Sequence, residues 1–184
     1  YKELLELVKN CAAGLVKLGV KKGDKVTICL PNIPQCVIAV YAVNRIGAVC
    51  NLVHPLSTKE EIEYAVNLTK SRFILTFETN EGHCKDLDAT VIRCRTPQYF
   101  PKTPVGLITK AVYHQKVKNE PRLENAVEWT DLIKGGAGIS LPEDTVKPED
   151  IAAIMYTGGT TGHSKGVMLS NQAINYTSSW LVRY

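Results

Sequence analysis

The feature that most restricts the fold is an alternation along the first half of the chain, where apolar stripes of helical period trade places with short, wholly apolar runs. Residues 2–18 carry Leu4, Leu7, Val8, Cys11, Leu15 and Leu18 along one side of a helix, and Gly19 ends it. Residues 25–30 follow as a strand. Pro34 stands where a first helical turn tolerates it, and the segment to Ile46 is apolar on nearly every side, as a well-buried helix would be. Residues 48–53 read as the next strand. Thr58 and Glu61 have the spacing of a capping box, which opens a helix to Thr69. Residues 72–77 read as a third strand, 80–87 as a short helix and 89–93 as a fourth strand. Short apolar strands separated by helices predict an α/β fold: a parallel β-sheet flanked by helices, with right-handed crossovers.

The chain changes character after this α/β unit of residues 1–95. Prolines at 97, 101, 104, 121, 142 and 148 and glycines at 135, 136 and 138 mark residues 96–150 as an ordered, irregular connection, with a strand expected near 105–112. A last unit, 151–184, begins with the apolar run Ile151 to Tyr156. In all, 184 residues are enough for one domain with a substantial core. Their 45% hydrophobic and 22% charged content is that of a soluble globular protein. The net charge of +4 is small and forms no basic stripe with interleaved aromatics, so nucleic acid is not expected as a partner. No apolar stretch can span a bilayer and no signal sequence is visible, which points to a cytoplasmic protein.

The six cysteines lie mostly in apolar segments and form no C-x-x-C pair, so buried free thiols are expected. His83 and Cys84 with Cys94 match no zinc spacing, and no protein metal site is expected.

The chemistry concentrates in residues 156–167, Tyr-Thr-Gly-Gly-Thr-Thr-Gly-His-Ser-Lys-Gly-Val. Glycines allow several backbone N–H groups to converge on one point, threonine hydroxyls add donors, and Lys165 adds a positive charge. Such a hollow suits a polyanion such as a nucleotide triphosphate. It is not a Walker loop, because Ser164 precedes the lysine and Gly166 follows it. Nor do Gly158, Gly159 and Gly162 reproduce G-x-G-x-x-G. Residues 166–169 read as a strand and a helix starts after Ser170, a good N-cap residue, so the loop joins two strands. The bland alternative is a Gly/Thr-rich hairpin that happens to carry a lysine.

This run resembles the phosphate loop of the adenylate-forming enzymes, a superfamily of acyl-CoA synthetases, luciferases and peptide-synthetase adenylation domains. The family pattern is roughly [YF]-[TS]-[SG]-G-[ST]-T-G-x-P-K-G-[VA], and Ser164 stands at its proline. Proline supplies no donor, so the difference costs rigidity rather than phosphate contacts. Residues 19–26, 30–32, 45–49 and 54–62 also resemble the family, though His54 stands where Asn is commoner, and residues 129–133 resemble a helical turn ahead of the loop. The resemblance implies an N-terminal part (1–184) of the AMP-binding domain of a longer synthetase, with 151–184 forming the phosphate-loop hairpin and following helix.

It also implies activation of a carboxylic acid by ATP with Mg²⁺, then transfer of the acyl group to coenzyme A. Thr157, Gly158, Gly159, Thr160, Thr161, Gly162 and Lys165 match the clamp on the departing phosphates, with Lys165 in the catalytic role. Tyr156 reads first as a strand-end aromatic. The Gly-Thr-Thr-Gly run at 159–162 leans toward acyl-CoA synthetases. An amino-acid-activating adenylation domain and a non-catalytic nucleotide-binding or interaction module remain as alternatives. The acid substrate and oligomeric state are not legible.

Overall fold

The computed structural model describes residues 1–141, 146–158 and 164–181. The elements run α1 (Lys2–Lys17), β1 (Lys25–Cys29), α2 (Pro34–Arg45), β2 (Val49–Leu52), α3 (Lys59–Thr69), β3 (Phe73–Phe77) and β4 (Thr90–Cys94). They continue with α4 (Pro104–Lys116), β5 (Val127–Glu128), α5 (Trp129–Gly136), β6 (Ile151–Tyr156), β7 (Gly166–Ser170) and α6 (Asn171–Leu181). One sheet gathers the strands in the order β5-β4-β3-β1-β2-β6-β7. Every pairing is parallel except β6 with β7, which are antiparallel. The expected α/β architecture holds.

The connections explain how both sheet faces are covered. β1–α2–β2 and β2–α3–β3 cross the sheet in opposite directions, so right-handed crossovers place α2 and α3 on opposite faces. The core accordingly has two parts. Cys11, Leu15, Ile38, Ala42 and Trp129 pack with Val26, Ile28 and Leu75 beneath α1, α2 and α5. Ile62, Ala65 and Val66 of α3 pack with Cys29, Ile74 and Val91 on the other side. Burying each large aliphatic side chain stabilises the fold by about 1.5–3 kcal/mol.

α1 and α5 approach closely because glycines face the contact. A Cβ at Gly136 would lie 1.9 Å from the Asn10 carbonyl oxygen, and one at Gly14 2.4 Å from that of Leu132. The capping box at α3 forms as expected: Glu61 N–H donates to Thr58 Oγ1 at 3.3 Å, and Thr58 N–H to Glu61 Oε2 at 2.9 Å.

Three expectations are corrected. Residues 105–112 are helical and belong to α4. Their β-branched residues suggested a strand, but Pro104 at the first turn and Thr103, whose Oγ1 accepts from Gly106 N–H at 3.2 Å, start a helix. The helix expected over 80–87 is only a 3₁₀ turn, Glu81–Cys84. The stretch 96–150 is less irregular than its prolines suggest, since it carries α4, β5 and α5. Among the described residues, no helix is long and apolar enough to cross a membrane.

Candidate functional site

The loop between β6 and β7 leaves the sheet at the carboxyl end of β6, beside the carboxyl end of its parallel neighbour β2. Ligands of open α/β sheets bind in this position. The loop's two described ends are held together: Thr157 N–H donates to the Lys165 carbonyl at 3.1 Å, and Thr157 Oγ1 lies 3.5 Å from the same oxygen. The loop is thus the tip of a β-hairpin. The helix after it starts as expected, with Ala173 N–H donating to Ser170 Oγ at 3.2 Å.

A cleft of about 570 Å³ opens here. One wall is the segment after β2, with Val53, His54, Leu56 and Ser57, continued by Glu60, Glu61 and Tyr64 of α3. The other is Tyr156, Thr157 and Gly158 on one side of the loop and Ser164 on the other. Thr157 and Gly158 therefore line the cleft, and Lys165 is exposed directly beside Ser164. A Cβ at Gly158 would meet nothing within 4 Å, so packing does not require glycine there, and bare backbone faces open space. Gly159, Thr160, Thr161 and Gly162 lie outside the described residues.

A neutral polar chain fixes the cleft floor. Tyr156 Oη donates to Asn51 Oδ1 at 2.8 Å. The Asn51 amide donates to Thr27 Oγ1 at 2.9 Å and Thr69 Oγ1 at 3.1 Å, and Thr69 Oγ1 donates to the Ala65 carbonyl at 2.8 Å. Thr27 and Asn51 are fully buried. Burial raises the Tyr156 phenol above its ordinary value, and the bond to Asn51 opposes that rise. Tyr156 is thus a strand-end aromatic that also lines the cleft. Sequence reasoning missed Asn51; the signal was an amide in an otherwise apolar strand. In the facing wall, His54 Nδ1 accepts from Leu56 N–H at 3.1 Å, which leaves Nε2 to carry the ring proton.

A second cluster, also missed, lies at the far end of the sheet. Arg93 Nε donates to Glu81 Oε2 at 2.7 Å, and its Nη1 to Glu128 Oε1 at 2.6 Å. Its Nη2 reaches Glu81 Oε1 and the Leu123 carbonyl, the latter at 2.6 Å. Arg95 grips Glu128 with two bonds, of 2.7 and 3.0 Å. Arg95, then Arg93, hold the Glu128 carboxyl down at about 2. The Glu81 side chain is 1% exposed. With Glu81 and Arg93 buried and Arg95 and Glu128 at its partly exposed rim, this cluster ties β4 and β5 to the turn after β3. An arginine inside the apolar run of β4 was its only trace in the sequence.

Five of the six thiols, all but Cys36, are buried, which disfavours their thiolates and pushes Cys29 up to about 11 and Cys50 and Cys84 to about 12. Among the described residues, no group of three or more His, Cys, Asp or Glu is placed to hold a metal ion.

Comparison with known proteins adds to this geometry. The family model described as AMP-binding enzyme matches residues 1–184. The long-chain-fatty-acid–CoA ligase of Escherichia coli O157:H7 is 31% identical over 180 residues, covering 94% of this chain and 32% of that protein. The chain thus spans about a third of the length of the curated relatives it matches. Its fold is similar to the anthranilate CoA ligase AuaEII in complex with anthranoyl-AMP, with a TM-score of 0.76, 16% identity, and 97% of this chain and 31% of that one covered. It is also similar to ATP-bound MatB from Rhodopseudomonas palustris, with a TM-score of 0.66, 24% identity, and 100% and 32% covered.

Proposed function

The chain belongs to the AMP-binding enzyme family, and on that premise we propose that it supplies the phosphate-gripping part of an ATP-dependent acid–CoA ligase. Residues 1–95 serve as the α/β platform, 96–150 as the connection and 151–184 as the hairpin and helix that meet the nucleotide. The observation that carries this reading is that both described ends of the Gly/Thr loop, Thr157-Gly158 and Ser164, line one cleft at the carboxyl edge of β2 and β6.

In the reaction, a carboxylate oxygen of the acid attacks the α-phosphorus of ATP. The bond from that phosphorus to the bridging oxygen breaks, and pyrophosphate leaves with its electron pair. The acyl-adenylate is then attacked at its carbonyl carbon by the thiolate of coenzyme A; AMP departs and a thioester forms. Negative charge grows on the departing β-phosphate, so donors fixed in advance around that group lower the barrier.

Thr157, Gly158, Gly159, Thr160, Thr161 and Gly162 offer hydroxyls and backbone amides for this task, and Lys165 offers a full charge. The cleft fits a triphosphate end: it is open, its loop side presents hydroxyls and bare backbone, and an exposed lysine flanks it. Mg²⁺ brought in with the nucleotide would supply further positive charge against the departing phosphates. Tyr156, tied down through Asn51, keeps the base of the loop rigid. The relatives' acids range from long-chain fatty acids to anthranilate, so the shared chemistry is carboxylate activation rather than one side chain.

The test is ATP–pyrophosphate exchange across a panel of carboxylic acids, using the full-length protein that carries this chain. Exchange with at least one acid is expected, and Lys165→Ala should slow it about tenfold to a hundredfold, the rate equivalent of a lost charge-assisted bond. Exchange with no acid would overturn the activity. Exchange that Lys165→Ala leaves unaltered would overturn the role of the lysine.

A further inference from the structure

Helix α4 is built the wrong way round for a helix whose environment is water. Only Gly106 is buried along its length, with Tyr113 half-buried. At about 100° per residue these two share one side of the helix. Gly106 meets the Pro101 carbonyl so closely that a Cβ would lie 2.0 Å from it. Tyr113 packs edge-on against Phe100, and its hydroxyl reaches Thr96 Oγ1 at 2.9 Å and Glu78 Oε2 at 3.2 Å. The side turned away from the body carries Leu107, Ile108, Ala111 and Val112 around a single polar residue, Gln115, with Val105 at its margin. Val105, Leu107, Ile108 and Val112 are 72%, 61%, 65% and 65% exposed. A surface helix normally turns its apolar stripe inward and its polar face to solvent. Here the outward face is the apolar one.

The charges around this face have one sign. Lys116 borders one flank and His114 the other, with Lys110 between His114 and the docked side, while Lys102 precedes the helix and Lys118 follows it. No Asp or Glu occurs between Lys102 and Asn119. An apolar helical face bordered by lysines matches the surface of an anionic bilayer, in which acyl chains lie beneath a layer of negative headgroups. A second copy of the chain is a poorer match, because joining two such faces brings lysine against lysine.

We propose that α4 docks on anionic phospholipid membranes, lying in the interface with Leu107, Ile108 and Val112 among the acyl chains and its lysines at the headgroups. The helix has 13 residues, too few to cross a bilayer, so it rests on the membrane and does not span it. It sits past the carboxyl ends of β3 and β4, the same sheet edge that carries the cleft, so a bilayer at α4 lies alongside the site and not behind it.

Co-sedimentation of the full-length protein that carries this chain with vesicles tests this without nucleotide, and so independently of the proposed reaction. The vesicles are phosphatidylcholine alone, or phosphatidylcholine with a quarter phosphatidylserine. The protein should pellet with the second and stay largely in solution with the first, and added salt should release it. Ile108→Glu and Val112→Glu should each weaken binding at least tenfold. Lys110→Gln and Lys116→Gln should weaken it about fivefold each. All four positions are exposed, so the variants should keep the parent's circular dichroism.

Failure of the parent protein to pellet with anionic vesicles would overturn the proposal and leave a protein partner as the occupant of this face. Glutamate variants that bind as tightly as the parent would reduce the effect to plain electrostatic adhesion, which also overturns it. So would a parent that sediments as a dimer, with Ile108→Glu restoring the monomer.

Discussion

The two ends of the sheet handle polar groups in opposite ways. At the β4–β5 end, four charged side chains are locked together: Glu81 and Arg93 are buried, and every nitrogen of the Arg93 guanidinium has an acceptor. At the β2–β6 end the buried groups are neutral, an amide and hydroxyls, and they lead outward to a phenol on the wall of an open cleft. The difference shows that the density of charge in a fold is a poor guide to its chemistry. A closed, satisfied cluster holds strands together. An open cleft with spare donors at its rim is where a ligand can bind.

The first way to break this comparison is Glu81→Gln, which leaves Arg93 buried beside a partner without charge. We expect a loss of about 3–5 kcal/mol in urea unfolding. A loss below 1 kcal/mol would mean that the cluster does not hold this end of the sheet.

Tyr156→Phe is the corresponding change at the cleft. It strands the buried Asn51 Oδ1 without its phenol donor and should cost about 1–3 kcal/mol by the same measurement. It should also weaken Mg·ATP binding, an effect that Glu81→Gln lacks under conditions where both variants are folded. Equal effects on nucleotide binding would erase the distinction between the two ends.

Acid sharpens the contrast further. The Glu128 carboxyl is held at about 2 by Arg95 and Arg93, below the ordinary value of about 4.3. A group whose folded pKa is depressed contributes stability that is complete above its unfolded pKa and is lost as pH falls toward its folded value. Stability should therefore decline between about pH 5 and pH 2, and Glu128→Gln should flatten that slope. An unchanged slope would show that other carboxylates govern the acid limb. The smallest effect is expected from Thr58→Ala, which opens the capping box at the start of α3 beside the cleft and should cost about 1 kcal/mol in thermal or urea unfolding.

Much of the fold was legible because its signals are local. The stripe of α1, the capping box at Thr58 and the Pro34 start of α2 each declare themselves within a few residues. The hairpin around the loop was legible for a different reason, since an apolar strand, a Gly/Thr run and a second strand leave little alternative. What stayed hidden was tertiary. Val105, Ile108 and Val112 look like strand residues until Thr103 and Pro104 set a helix start, and their outward orientation depends on where Gly106 docks. Glu81, Arg93 and Glu128 are far apart in sequence, and only the β3–β4–β5 register brings them together. Asn51 could have been noticed as a lone amide in β2, but its link to Tyr156 requires the pairing of β2 with β6.

The central claim is that the hairpin cleft, and not the charged cluster, receives the phosphates of a nucleotide. Backbone amide shifts recorded during a Mg·ATP titration address it directly. Changes should concentrate at Thr157, Gly158, Ser164 and Lys165 and at His54 to Ser57 across the cleft, and they should shrink in Lys165→Ala. Shifts centred on Glu81, Arg93 and Glu128, or a titration that Lys165→Ala leaves unchanged, would contradict the account.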